Sequence, residues 1–190
     1  MNEKKQSGYP QEDPRAELER LMEAAEKGKA AEKAGGQGPE GAAHHGGVCR
    51  AGDQGREMSG FRLTSCVWEL TLACCFGCRY CGSAGGRARA DELSTAECMD
   101  AAEQLADLGC RRVSLIGGEV FLRRDWAQIA GRLTGLGVRV DVITNGYLMS
   151  PEVLEQLKQA GVSSVAVSID GPEDVHDAGR QAGSFKRAKF

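Results

Sequence analysis

The sequence lacks a dominant charge, a long apolar run and an apolar leader, and each absence removes a class of function. Lys and Arg total 24 against 27 Asp and Glu, leaving a net charge of −3 with both signs interspersed. Such a surface offers no electrostatic footprint for nucleic acid or for an acidic membrane. No stretch reaches the ~18 consecutive apolar residues of a membrane span, and the first ten residues are charged and polar, unlike a secretion signal. Neither nucleic acid nor membrane is an expected partner, and the expected location is the cytoplasm. Bulky apolar residues are also scarce from about 33 to 60, where glycine and alanine dominate and no core can form. Residues 1–60 are therefore expected to be a tail and linker, disordered apart from one charged helix opened by Asp13 and Pro14. His44-His45 lies in that stretch without a companion ligand at metal-binding spacing and is read as a solvated pair.

What is present begins with cysteine. Four of the eight cysteines fall within residues 74–81, which is metal-ligand spacing rather than a disulfide framework. Cys98 and Cys110 lie in or beside an apolar helical pattern and are read as small core residues. From Cys66 onward, β-rich runs at 67–72, 113–116, 138–144 and 162–169 alternate with helical segments. Ser94 and Glu97 form a capping box for the first helix; Gly137 and Gly161 terminate the next two, the second of which starts at Ser150-Pro151. Strands alternating with helices argue for crossover connections, a parallel sheet and the α/β class. One domain over residues 61–190 is expected. The polar and glycine-rich motifs sit just after the strands, where α/β folds place their sites.

The first motif, Cys74-x3-Cys78-x2-Cys81, supplies three thiolates on one short loop. Thiolates suit soft metals, and three of them can wrap three corners of an iron–sulfur cube while one iron stays open to another ligand. The alternative is a zinc site on Cys78 and Cys81 with Cys74 or Cys75. Cys75 is read as a bystander, because adjacent side chains on an extended loop diverge. Gly117-Gly118-Glu119 follows the second run: the glycines let the backbone approach a ligand, and Glu119 offers a carbonyl or carboxylate to an ammonium. Asn145-Gly146 follows the third run, and Ser168 and Asp170 end the fourth, ahead of His176, Asp177 and Arg180. His176 is the one histidine beyond residue 60, read as a general base or as a residue that orders its loop.

Cys-x3-Cys-x-Tyr-Cys after a strand, followed by Gly-Gly-Glu after the next, resembles the radical S-adenosylmethionine (radical SAM) superfamily. Thr144-Asn145-Gly146, Ser168-Ile169-Asp170-Gly171 and His176-Asp177 with Arg180 resemble segments of its SPASM or twitch branch, which modifies peptides and proteins. The resemblance implies a partial (β/α) TIM-like barrel with about four βα units of the six the family uses. It implies a 4Fe-4S cluster on Cys74, Cys78 and Cys81, with S-adenosylmethionine on the open iron. Tyr80 would lie near the adenine, Gly117, Gly118 and Glu119 at the amino group, Ser168 at the ribose and Arg180 at the methionine carboxylate, with Asn145 and Asp170 in the same cofactor-binding set. The implied reaction takes one electron from an external reductant, cleaves the sulfonium to a 5'-deoxyadenosyl radical and removes a hydrogen atom from a peptide or protein substrate. Val120 and Gln181 stand where the family often has proline and glycine. The chain ends at Phe190, before a fifth or sixth unit. The expectation is a fragment of a longer enzyme, including one that only binds the cluster, or a core whose barrel a partner chain completes.

Overall fold

The computed structural model describes Glu19, Arg20, Glu23 and residues 62–189. The three early residues are helical, where the sequence predicts its charged helix. The glycine-rich linker, His44-His45 and Cys49 lie outside the described residues.

Four strands, β1 (Ser65–Glu69), β2 (Arg112–Ile116), β3 (Arg139–Thr144) and β4 (Ser164–Val167), form one parallel sheet in the order β1-β2-β3-β4. Helices α1 (Thr95–Asp107), α2 (Trp126–Gly135) and α3 (Pro151–Gln159) carry the chain between strands, and α4 (Glu173–Gly179) and α5 (Ser184–Ala188) follow β4. The predicted caps are present. Ser94 Oγ accepts from the Glu97 N–H at 3.3 Å while Glu97 returns to the Ser94 N–H at 2.8 Å, an arrangement worth about 1 kcal/mol. Ser150 caps α3 through the Val153 N–H, with proline in the first turn. Gly109 ends the first helical unit at φ +84°, a conformation only glycine adopts without strain.

Strand period two divides the sheet into two faces. Val113 and Leu115 of β2 and Val140 and Val142 of β3 are fully buried with Ala102, Ile129 and Leu133 from the helices. Cys98 and Cys110 are buried in the same core. Helix α1 packs on α2, and α2 on α3. On the opposite face Val67 and Ile143 are exposed, and Asp141 is held by Arg112, Ser164 and, at 4.0 Å, Arg139.

The strands differ from the sequence reading at their ends. β1 stops at Glu69 rather than 72, because Thr71 Oγ1 and the Leu72 N–H are taken by Glu92 at 3.0 and 2.9 Å and the Leu72 carbonyl by the Gly86 N–H. Those bonds root the cysteine loop, while residues 70–73 stay hydrogen-bonded to 116–119 beyond the strand. No helix among the described residues is long and apolar enough to cross a membrane.

Candidate active site

A parallel sheet delivers every strand's carboxyl end to one rim, and the motifs meet there. A cleft of about 390 Å³ is lined by Cys74, Cys78, Tyr80 and Cys81 from the loop after β1, Gly117 and Gly118 after β2, Asn145 after β3, and Ser168 and Arg180 after β4. Phe76, Ile116 and Ile143 supply apolar wall. Glu119 and Asp170 are not in the lining and act from behind it.

Gly117 and Gly118 run directly under the cysteine loop. The Gly118 N–H donates to the Thr71 carbonyl at 2.8 Å and the Glu119 N–H to that of Ala73 at 2.7 Å. A Cβ on Gly118 would sit 2.3 Å from the Ala73 oxygen and 2.5 Å from that of Leu72, so only glycine permits this approach.

Glu119 turns away from the cleft and is fully buried. Its carboxylate accepts from Thr144 Oγ1 and the Asn145 N–H, both at 2.8 Å, and from the Phe121 N–H at 3.3 Å. It thereby caps the one-turn 3-10 helix Val120–Leu122 and ties the end of β2 to the end of β3. Burial raises its pKa, while the three donors oppose that shift. Val120 opens the 3-10 turn, a position whose N–H needs no acceptor within the helix and where proline would also fit.

The thiols are not equivalent. Cys74 Sγ accepts from the Phe76 N–H at 3.4 Å, and Cys81 Sγ from that of Gly85 at 3.4 Å. Cys75 does not diverge to solvent: its sulfur meets Asn145 Nδ2 at 3.5 Å and shares a hydrogen bond with Cys74. That bond lowers the Cys74 pKa and raises that of Cys75, which burial and the Glu119 charge push further up. Burial raises Cys78, against the pull of the Arg180 charge. Cys75 thus stands behind the cleft, beside Cys74.

On the far side of the rim, Asp170 accepts from the Tyr80 hydroxyl and from Arg180 Nε and one terminal nitrogen at 2.7 and 2.8 Å. The Arg180 bonds hold the Asp170 carboxyl down at about 2, and the bond to Asp170 raises Tyr80. His176 is buried; its Nδ1 accepts from the Asp170 N–H at 3.3 Å and its ring meets Phe185 edge-on. Of the two readings, ordering the loop is the one this contact performs. A second cleft of about 400 Å³ lies around Arg123 and Asp125, but its charges serve the fold: Arg123 holds Asp125 and the carbonyls of Leu70 and Leu93.

A family model described as the Radical SAM superfamily matches residues 68–189. The chain belongs to the radical SAM superfamily. It is 40% identical over 124 residues to the AdoMet-dependent heme synthase of Methanosarcina barkeri, covering 64% of this chain and 36% of that protein. It is 38% identical over 123 residues to mycofactocin maturase MftC of Mycobacterium ulcerans, covering 64% and 33%. Streptococcus suis SuiB bound to S-adenosylmethionine matches with a TM-score of 0.58 over 68% of this chain and 30% of that one; at 18% identity the likeness is of fold alone. The chain spans about a third of the length of the curated relatives it matches. The fold is accordingly a partial radical SAM barrel of four parallel strands.

Radical SAM proteins use a 4Fe-4S cluster and S-adenosylmethionine, and the donor set here fits them. Three thiols on one loop line the cleft while the fourth, Cys75, does not, which leaves one iron of a cube without a protein ligand. The family match, rather than the geometry, disfavours the zinc alternative. Sequence reasoning missed the inward turn of Cys75 and the reach of Glu92 to the loop's root. Neither contact leaves a local signal, since each partner comes from a distant segment.

Proposed function

We propose that this chain holds a 4Fe-4S cluster on Cys74, Cys78 and Cys81, binds S-adenosylmethionine in the adjoining cleft and starts radical chemistry on a peptide or protein side chain. The observation that carries the proposal is the single cleft in which the three thiols face Gly117-Gly118, Ser168 and Arg180. The cluster, when bound and reduced by an external one-electron donor, supplies the electron for reductive cleavage of the sulfonium. The protein's part is placement. Gly117 and Gly118 admit close backbone contact, and the Ser168 hydroxyl can meet those of a ribose. Arg180 spends two of its five N–H groups on Asp170, leaving the rest of the fork for a carboxylate. Asn145, fixed by Glu119 through its backbone, completes the wall, and Phe76, Ile116 and Ile143 limit water. Tyr80 borders the cleft at its mouth. The seven described cysteines are all free thiols, the state a reducing compartment maintains, and the cytoplasm is the location we assign.

The anaerobically reconstituted chain with dithionite and S-adenosylmethionine should release 5'-deoxyadenosine, and Cys78→Ala should abolish release. Undiminished release in the variant would refute the cluster assignment. The likeness to a heme synthase favours a second substrate reading, a heme precursor. Deuterium passing from a labelled peptide into 5'-deoxyadenosine supports the first reading; deuterium from a labelled heme precursor supports the second.

A further inference from the structure

The cysteine loop is fastened to the opposite end of the sheet by protein groups alone. Asp170 takes the Tyr80 hydroxyl and, in a two-point grip, Arg180. Beside it the Arg79 N–H donates to the Gly179 carbonyl at 3.1 Å. A Cβ on Gly179 would lie 2.8 Å from Tyr80 Cε1, so the ring rests against the bare backbone at the end of α4. Asp170 is itself anchored through its N–H to the buried His176. A carboxylate that takes two N–H groups along one edge of a guanidinium fixes its plane as well as its position.

We propose that Asp170 is a positioning residue that clasps the cysteine loop to the β4 end and aims Arg180 into the cleft before any cosubstrate arrives. The meaning of that aim rests on the function proposed above; the clasp itself does not. Tyr80 is more than half exposed, at 56%; the contacts that hold its ring are Asp170, the α4 end and the Arg180 guanidinium, 5.9 Å from the ring centroid. Without the clasp, ordering the loop and the guanidinium would be charged against cosubstrate binding.

Hydrogen exchange on the full chain, metal-free and reconstituted, tests this. In Asp170→Asn the Arg79 and Cys81 amides, which donate to the Gly179 and Cys78 carbonyls, should exchange about tenfold faster, the opening expected when a charge-assisted bond is lost. Amides of α2 should keep their rates. Tyr80→Phe removes one hydroxyl and should give a smaller acceleration at the same amides. In the reconstituted protein Asp170→Asn should keep its iron content yet raise the KM for S-adenosylmethionine more than it lowers kcat. Unchanged exchange at Arg79 and Cys81 in both variants would overturn the clasp. If Asp170→Asn loosens α2 as well, Tyr80→Phe decides: acceleration confined to the loop sustains the clasp, and none overturns it. Loop acceleration in a chain that binds no cluster would keep the clasp and discard the proposed function, whereas cluster binding with no acceleration would do the reverse.

Discussion

On the helix-backed face of the sheet, Val113, Leu115, Val140 and Val142 are excluded from water and packed on Ile129 and Leu133. At the rim, residues such as Tyr80, Asp170 and Arg180 are partly exposed and held by a few directional bonds. Packing of the first kind is cumulative and tolerant of small movements. Directional bonds are few, and each fixes one group at an angle. The contrast separates what makes the chain fold from what makes the cleft usable. Glu119 lies between the two: as buried as the core, yet acting wholly through hydrogen bonds.

That contrast can be broken first at Leu133. Leu133→Ala should cost about 2–5 kcal/mol, read by urea denaturation, with every element losing protection together. A loss confined to one helix would mean that the core is not a single unit. Next comes Glu119→Gln, which keeps the shape but sets an amide against at least one backbone donor, at a cost of about 1–3 kcal/mol. The same variant sharpens a pH effect. Burial places the folded-state pKa of Glu119 above its unfolded value, so the wild-type group favours folding below the unfolded value and that contribution is lost as pH rises through the folded one. Wild type should therefore gain relative to Gln on acidification; equal slopes for the two proteins would show that Glu119 carries no such shift.

The smallest effect belongs to the rim. Arg180 holds Asp170 at about 2, below the ~3.9 of a free aspartate. Stabilisation by this pair is complete above the unfolded value and lost as pH falls through the folded one. The Arg180 Nε–H resonance should stay protected from neutral pH to about 4 and fade between about 4 and 2. Loss already near pH 6 would show that Asp170 does not hold it.

Much of the core was legible because it rests on repeating patterns. β-Branched runs marked the strands, Ser94 with Glu97 marked a helix start, and Gly137 and Gly161 marked ends that lie at positive φ. The rim was legible as a place, since the motifs followed strands, but not as a set of contacts. Glu119 could be read as facing a ligand because nothing near it in the chain announces Thr144 and the Asn145 N–H as partners. Glu92 gave no cue that it would end β1 early. Cys75 stays out of the cleft that Cys74 lines, and its contact with Asn145 has no local cue because the partner is 70 residues away.

The bond from Tyr80 to Asp170 joins segments that follow the first and last strands of the sheet. Three inter-strand steps of about 4.8 Å put those strands roughly 14 Å apart if laid flat. The bond therefore closes a gap that the strands leave open, spanned by the cysteine loop on one side and the segment after β4 on the other. Because it needs both segments in place, whatever moves one against the other must break it, and a probe at Tyr80 would register a shift that the strands themselves conceal.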